Sequence, residues 1–201
     1  MCSSDLVPRP QLHSTDSILD AARELVLEGG ARAATLDGIV AASGAPKGSI
    51  YHRWPTLNDL LAAMWIRAVR RSQEGFLAAL GDPDPVEGAV AAALTVHDFA
   101  QAHPADARLL ASLRRKDLID SAGDPVLKTS LEELNRPLEA AIRELARRLH
   151  GRATRTALEQ TTFAVVDLPL GAVRRHLIAG TPLPSSLRAQ LEAAVRAALG
   201  R

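Results

Sequence analysis

Aromatic residues, cysteine, excess charge and long apolar runs are all scarce in this sequence. It has three Phe, two Trp and one Tyr among 201 residues, and its one cysteine cannot form an internal disulfide or a thiolate metal cage. Basic and acidic residues nearly cancel, 24 against 23, which excludes a polyelectrolyte tail. The longest stretch without Asp, Glu, Lys or Arg, residues 176–187, is too short to cross a bilayer. We therefore predict a cytoplasmic protein with no membrane partner.

Alanine and leucine are the abundant residues of this sequence. They supply 36 and 30 of the 201 positions, and both favour helices. Val, Ile and Thr are too dispersed to build repeated strands. Gly and Pro recur at intervals that suit short to medium helices. The sequence therefore predicts an all-α fold of nine helices, in one large or two small domains.

Glycine and proline divide the predicted helices into two units. Gly81 to Pro85 cannot continue a helix, so a second unit begins there. Pro137 and Pro169 fall inside two predicted helices, and each of these helices is therefore kinked or split. The predicted helices cover residues 16–28, 36–43, 46–54, 57–80, 86–102, 104–120, 125–150, 153–179 and 185–199.

The informative stretch runs from Thr35 to Leu61. A two-turn helix capped by Thr35, a turn at Gly44 and a short helix that buries Ile50 and Trp54 are typical of a helix-turn-helix, because only small residues fit the turn. The leading end of the second helix carries small and polar side chains that can meet phosphates and base edges. Spacing alone leaves a second interpretation open, since any all-helical protein contains short helices joined by glycine turns.

Local charge supports DNA binding modestly. Between residues 29 and 58, Arg32, Lys47 and Arg53 stand against Asp37, whereas residues 1–80 carry eight basic and eight acidic residues. A strongly basic footprint is therefore absent. Binding would depend on shape, on backbone N–H groups and on doubling of the site in a dimer.

The run from Ile18 to Met64 resembles the N-terminal DNA-binding domain of the TetR family of transcriptional repressors. The resemblance covers an amphipathic first helix, a glycine-rich loop, the turn at residues 44–46, a recognition helix at residues 47–52 and a capped fourth helix. It implies a homodimer whose recognition helices enter successive major grooves of operator DNA. It also implies a helical C-terminal domain that binds an inducer and then releases the DNA.

The resemblance predicts how the whole chain is divided into domains. Residues 1–15 include Leu-Val-Pro-Arg at positions 6–9, so they are either a remnant of a protease-cleavage tag or a natural flexible arm. Residues 16–62 are predicted as a three-helix DNA-binding domain with a helix-turn-helix. A long fourth helix links it to residues 63–201, predicted as a helical ligand-binding and dimerisation domain.

Carried over position by position, the resemblance assigns a DNA-binding surface. Hydroxyls of Thr35 and Tyr51 suit phosphate oxygens, and Ser49 and His52 suit base edges. Tyr51 has the alternative of packing beneath the helix, and His52 of remaining solvated. The full predicted surface is Thr35, Ala45, Pro46, Lys47, Gly48, Ser49, Tyr51 and His52.

Three positions depart from the family pattern. Val40 stands where the family has a small alanine, and Trp54 replaces a common phenylalanine with a larger anchor. Leu57 occupies a position where the family usually has lysine. Its lack of charge removes one phosphate contact and lowers the salt slope of binding by about one.

The second unit resembles the family only in architecture. Large apolar side chains there suit a cavity for a small apolar effector, although such residues are more often simply core. Paired apolar stripes on the last two helices suit a dimer interface, although they can equally pack within one subunit. The predicted cavity residues are Trp65, Phe99, Leu110, Leu113, Phe163 and Val166, and the predicted interface residues are Leu170, Val173, Leu177, Leu191 and Val195.

Catalytic and metal-binding patterns are missing. The sequence has no G-x-S-x-G, P-loop or dinucleotide motif, and His97, His103, His150 and His176 form no i, i+4 pair. We predict no enzyme activity, cofactor or metal. Two other functions stay open: a constitutive DNA-binding regulator without a ligand, and a helical carrier of apolar small molecules.

Overall fold

The computed structural model describes residues 14–200, and over this range the chain forms twelve α-helices and one π-helical turn without a β-strand. The all-α prediction is confirmed. No helix in this range is long and apolar enough to cross a membrane. The helices are α1 (Thr15–Gly29), α2 (Leu36–Ser43), α3 (Lys47–Arg53), α4 (Leu57–Ala79), α5 (Pro85–Ala102), α6 (Pro104–Ser112), α7 (Arg115–Ser121), α8 (Pro125–Glu133), α9 (Arg136–His150), α10 (Arg155–Thr162), the π-helical turn Phe163–Asp167, α11 (Leu168–Ala179) and α12 (Leu187–Ala198).

Side-chain oxygens cap α1, α2 and α4, and the sequence indicates two of these caps, Thr35 and Thr56. Ser14 caps α1, Thr35 caps α2 and Thr56 caps α4. At α4 the cap is reciprocal, because the Asp59 carboxylate accepts a hydrogen bond from the Thr56 N–H at 3.1 Å. Of the predicted arm, residues 1–15, all but the last two lie outside the described residues.

Two predicted helices are split. The helix predicted over residues 104–120 breaks at Leu113 and Arg114, both of which adopt extended backbone angles. The helix predicted over residues 125–150 breaks ahead of Pro137, which lies in the first turn of α9, where a missing N–H costs nothing. These breaks raise the number of helices above the nine predicted.

The helix that contains Pro169 is neither sharply broken nor regular. α10, the π-helical turn and α11 follow one another directly from residue 155 to residue 179. Pro169 has no N–H to donate to the carbonyl of Val165, and the chain widens to the π pattern just before it, with the Leu168 N–H donating to Phe163 O. The π-helical turn thus lets one helix pass through a proline.

One apolar core joins the helix-turn-helix to the rest of the chain. Ile18, Ile39 and Ile50 from α1, α2 and α3 are fully buried in it, and so are Leu109 from α6 and Leu131 from α8. α4 contributes more residues than any other helix and contacts α1, α5, α6, α7 and α8. α4 therefore belongs to both predicted units.

Candidate nucleic-acid interface and internal cavity

The turn between α2 and α3 is built from small residues. Gly44 ends α2 with a left-handed φ of +68°, a conformation that glycine adopts without steric cost, and its N–H donates to Val40 O at 2.9 Å. The Ser43 hydroxyl donates to Ile39 O at 2.6 Å and accepts from the Ala45 N–H at 3.2 Å. Ala45 is fully buried. The prediction that Ala45 contacts DNA is therefore corrected: it packs beneath the turn and positions α3.

α3 has one buried and one exposed face. Ile50 and Trp54 are buried in the core and fix the helix against α1, α2 and α4. Tyr51 is 49% exposed, which removes the alternative that it packs beneath the helix. The exposed face comprises Pro46, Lys47, Gly48, Tyr51 and His52, with Ser49 half-buried at its edge. We call these six residues the α3 face.

Gly48 is placed where a backbone could approach DNA closely. A Cβ added at Gly48 would have no heavy atom within 4 Å, so the space above it is open. Gly48 also lies in the first turn of α3 with ordinary helical backbone angles. Neither sterics nor backbone strain within this chain requires glycine at this position.

Lys47 and Asp37 tie the leading end of α3 to α2. Lys47 Nζ lies 3.0 Å from Asp37 Oδ1, and both side chains are exposed. The hydrogen bond to Asp37 and the attraction of its charge raise the pKa of Lys47 above its ordinary value. Exposed ion pairs of this kind stabilise a protein little, so Lys47 is a charged donor that can exchange Asp37 for a phosphate.

Thr35 and Leu57 flank the α3 face. The Thr35 hydroxyl accepts a hydrogen bond from the Gly38 N–H at 3.1 Å, which leaves its own O–H proton available to an outside acceptor. Leu57 is half-buried against the apolar core, as is Val40. The departure from the family pattern at Leu57 thus replaces a surface charge with a core contact.

A buried carboxylate at the start of α4 holds a loop of the second unit. Asp59 Oδ1 accepts hydrogen bonds from the Gly123 and Asp124 N–H groups, both at 2.9 Å, between α7 and α8. Burial would raise the pKa of Asp59, but hydrogen bonds from Thr56, Asp124 and Gly123 outweigh it and hold that pKa below its ordinary value. The cap at Thr56 was visible in the sequence, whereas the contact with a loop more than sixty residues away was not.

A second buried carboxylate joins α1 and α4 to α6. Asp106 is 2% exposed and lies within 2.6 Å of Arg23 Nη1 and 3.2 Å of Arg71 Nη1. Burial would raise the pKa of Asp106, but hydrogen bonds from the two guanidinium groups outweigh it and lower that pKa. Arg67 pairs with Asp16 and Asp20 of α1 at 2.7 and 2.6 Å. We call Asp106, Arg23 and Arg71 the α6 clamp.

A cavity of about 350 Å³ lies between α4, α5, α6, the start of α9 and the π-helical turn with α11, residues 163–179, which we call the π–α11 segment. Trp65, Phe99, Leu110 and Val166 from the predicted set lie on its wall. Two other members of that set do not: Leu113 packs against the core around the helix-turn-helix, and Phe163 is 53% exposed. Sequence reasoning missed Phe76 and Arg174, since their side of each helix is fixed only by packing.

The five predicted interface residues separate into two groups. Leu191 and Val195 of α12 are buried against α5 of the same chain, and Val173 is also fully buried. Leu170, Val173 and Leu177 lie on the cavity wall, with Leu170 half exposed. The large exposed apolar side chains of the π–α11 segment are instead Phe163, Leu170 and Ile178, at 53, 50 and 63%. We call these three the α11 stripe.

His97, His103, His150 and His176 are dispersed over the second unit. His97 is buried, and its Nδ1 lies 3.0 Å from Asp98 Oδ1, while the His103 ring stacks at a tilt on Phe99. Among residues 14–200, no group of three His, Cys, Asp or Glu side chains is arranged to hold a metal ion.

Residues 18–64 match the family model described as bacterial regulatory proteins of the tetR family. This match covers the three helices that bury the core around Ile50, the turn at Gly44 and the first part of α4. Comparison with curated protein sequences gives no significant match.

Solved structures of similar fold cover nearly the whole chain. The TetR-family regulator PfmR from Thermus thermophilus superposes with a TM-score of 0.70 at 17% identity, over 91% of this chain and 97% of that one. The fatty acid degradation regulator FadR from Bacillus halodurans gives 0.69 at 16% identity, over 93% and 98%. A TetR-like regulator from a Rhodococcus species gives 0.63 at 22% identity, over 92% and 96%. The second unit therefore has the same fold as the second unit of these regulators.

Proposed function

We propose that this chain, whose residues 18–64 match the tetR-family model and whose fold is that of solved TetR-family regulators, is a transcriptional repressor of that family. It binds operator DNA as a homodimer and leaves the DNA when a small molecule occupies the cavity. The observation that carries the proposal is the α3 face, which is polar, exposed and held rigidly by the buried side chains of Ile50 and Trp54.

Residues of the α3 face and the flanking Thr35 have roles set by their chemistry. Lys47, Thr35 and Tyr51 donate hydrogen bonds to phosphate oxygens, which fixes the position of α3 in the major groove. Ser49 and His52 reach base edges and read sequence. The open space above Gly48 lets the helix backbone approach the DNA. With so few cations, a single copy binds weakly, so affinity depends on two copies on one operator.

The α11 stripe supports homodimerisation. Phe163, Leu170 and Ile178 lie on one continuous helical segment, each is at least half exposed, and fifteen positions separate the first from the last. Two copies of such a stripe cover each other across a two-fold axis. In that dimer the two α3 helices read major grooves about 34–36 Å apart.

α4 provides the link between cavity and DNA. Trp65 on α4 lines the cavity, and Asp59 at the start of the same helix lies five residues from Trp54. Movement of α4 upon ligand binding would tilt the helix-turn-helix as a rigid body. A change of a few ångström in the separation of the α3 helices prevents both from docking at once.

The test is a comparison of two glycine substitutions. DNA sites are first selected in vitro with the purified full-length protein, and affinity is then measured by fluorescence anisotropy. Gly48→Ala adds a methyl group where no protein atom stands, so we expect an unchanged or slightly raised melting temperature and at least a tenfold loss of DNA affinity.

Gly75→Ala is the matched control. Gly75 is a helical glycine of α4 whose added Cβ would make an ordinary 3.7 Å contact with Thr95, away from the α3 face. This variant should bind DNA as the wild type does. Failure to select any DNA sequence, or equal affinity of the Gly48→Ala and Gly75→Ala variants, would contradict DNA binding through the α3 face.

The two alternative functions give different results. A constitutive regulator would keep its DNA affinity whatever ligand it binds, but the cavity of about 350 Å³ falls in the range of small-molecule sites and favours an effector. A helical carrier would bind ligand tightly and show only weak, non-specific DNA affinity even at low salt.

A further inference from the structure

The cavity is apolar over most of its wall. Trp65, Phe76 and Phe99 supply its aromatic side chains, and Val96 and Leu138 extend the apolar surface between α5 and α9. The π-helical turn contributes Val165 and Val166, which places an irregular helix segment beside the cavity. The body of a ligand that fits this wall is therefore a hydrocarbon or aromatic group.

Polar groups on the wall are largely committed to one another. Gln73 Nε2 donates to Asn135 Oδ1 at 3.1 Å, and the Ser72 hydroxyl donates to Val69 O at 2.8 Å. The exception is the indole of Trp65, which is 8% exposed and whose Nε1 has no hydrogen-bond partner among the described residues. That nitrogen is itself inaccessible to solvent, so the indole meets a ligand with its ring and not with its N–H.

One charge stands at the cavity. Within the part of the chain that the structure describes, Arg174 of α11 is the only charged residue that lines the cavity, and no acidic side chain lines it. Arg174 is exposed and makes no ion pair with any residue of the range 14–200. Other arginines of this range, such as Arg188 and Arg196, pair with carboxylates across helices. The Arg174 guanidinium is therefore available to pair with an anion from outside the chain.

We propose that the cavity binds an apolar organic anion. Its hydrocarbon body lies between α4 and α5, and its single carboxylate or comparable head group pairs with Arg174 at the exposed edge of the cavity. Because the described wall carries no acidic side chain, a cation is not the preferred ligand. This inference rests on the proposed function, because it assigns a chemical class to the effector of that site.

The test uses three probes of equal chain length: octanoate, octanol and octylamine. Isothermal titration calorimetry on the full-length protein should give octanoate the highest affinity and octylamine the lowest. Arg174→Gln should weaken octanoate about tenfold and leave octanol unchanged, since only the anion gains from the guanidinium. Added salt should weaken octanoate binding and leave octanol binding unaffected.

Two further variants fix the location and the specificity of the effect. Arg175→Gln removes the neighbouring arginine of α11, which does not line the cavity, and should change none of the three affinities. Ala111→Phe fills the cavity from its α6 wall and should abolish binding of octanoate and octanol together. Far-ultraviolet circular dichroism checks that each variant keeps its helical content.

Several results would overturn the inference. These are equal affinities for octanoate and octanol, octanoate binding that survives Ala111→Phe, absence of binding by octanoate, and dissociation of a dimer by Arg174→Gln without loss of octanoate affinity. None of them changes the outcome of the Gly48→Ala comparison, which is made without ligand in protein that keeps Arg174. Failure of the effector class and failure of the proposed function are therefore separable.

Discussion

Neighbouring residues of α3 have opposite roles. Ile50 is fully buried, whereas Tyr51, the next residue, is half exposed. Because 100° of helical rotation separates consecutive residues, one position supports the fold and the next meets the solvent. Substitutions on α3 can therefore separate DNA affinity from stability.

Tyr51→Ala should weaken DNA binding without unfolding the protein. Loss of a phosphate contact and of aromatic contact area should lower operator affinity at least tenfold, while the half-exposed ring contributes little to the core. Anisotropy titration measures the affinity and thermal unfolding measures the stability. A fall in melting temperature as large as that of a core variant would count against the DNA role.

Ile50→Ala is the core variant that calibrates this comparison. Removal of the fully buried side chain should cost about 2–4 kcal/mol of unfolding free energy. Ile50→Ala should weaken DNA binding only indirectly, because α3 is then held less firmly in its position. Chemical denaturation of both variants under one buffer condition gives the two free energies.

At the scale of elements, two polar contacts hold α4 in place, one at its start and one near its middle. Asp59 fixes its start to the loop between α7 and α8, and the α6 clamp fixes its middle to α6 and α1. Both contacts are buried carboxylates whose hydrogen-bond donors come from distant parts of the chain. Their arrangement connects the second unit to the helix-turn-helix more tightly than α4 alone would.

Asp106→Asn should destabilise the protein by about 2–3 kcal/mol at pH 7. The substitution removes the charge that Arg23 and Arg71 face, and the partial exposure of Arg71 keeps the cost below that of a fully buried pair. Urea denaturation of variant and wild type measures the difference.

The pH dependence of this difference has a definite sign. The pKa of Asp106 in the folded protein lies below its ordinary value of 3.8. Its stabilising contribution is therefore complete above about pH 4 and is lost as the pH falls through the lower folded pKa. The gap between wild type and Asp106→Asn should stay constant from pH 7 to pH 5 and shrink only below about pH 4. A gap that shrinks already between about pH 7 and pH 5 would refute the assignment.

Two adjacent residues of α4 should differ sharply on substitution. Asp59→Ala removes the buried carboxylate that accepts from the Gly123 and Asp124 N–H groups and should cost about 2 kcal/mol. Asn58→Ala removes only an exposed 3.1 Å hydrogen bond from Nδ2 to Ser121 O and should cost less than about 1 kcal/mol. Denaturation curves of the two variants check this; equal losses would mean that the buried carboxylate does not hold the loop.

At the scale of the whole molecule, the α11 stripe is the largest unexplained apolar feature of the π–α11 segment. Phe163 and Ile178 are both more than half exposed, and neither lines the cavity. The double variant Phe163→Glu, Ile178→Glu should convert a dimer into a folded monomer, because like charges would meet across the two-fold axis. Sedimentation velocity measures the mass, and circular dichroism the helical content.

The same variant should lose at least about a hundredfold in operator affinity, since each copy then binds one half-site alone. Val126→Glu is the control, because Val126 is 72% exposed at the start of α8 and lies outside the stripe. This variant should keep the mass and the affinity of the wild type. A dimer that survives the double substitution would place the interface elsewhere.

The sequence by itself determined the features that depend on neighbours along the chain. The all-α fold, the caps at Thr35 and Thr56, the turn at Gly44 and the buried pair Ile50 and Trp54 follow from residues within one or two helical turns. Such signals are local, so spacing and residue type are sufficient to find them. The same local pattern carries the family resemblance over residues 18–64.

Only the tertiary structure decided which distant groups meet. Asp106 reaches Arg23 across 83 residues, and Asp59 reaches Gly123 across 64, separations at which no periodic pattern exists. Alanine-rich helices also bury more than one face. The spacing of apolar residues therefore could not show that Val195 packs against α5 of the same chain, that Phe163 lies at the surface or that Arg174 lines the cavity. Packing between helices settles these positions, because it alone fixes the rotation of each helix about its axis.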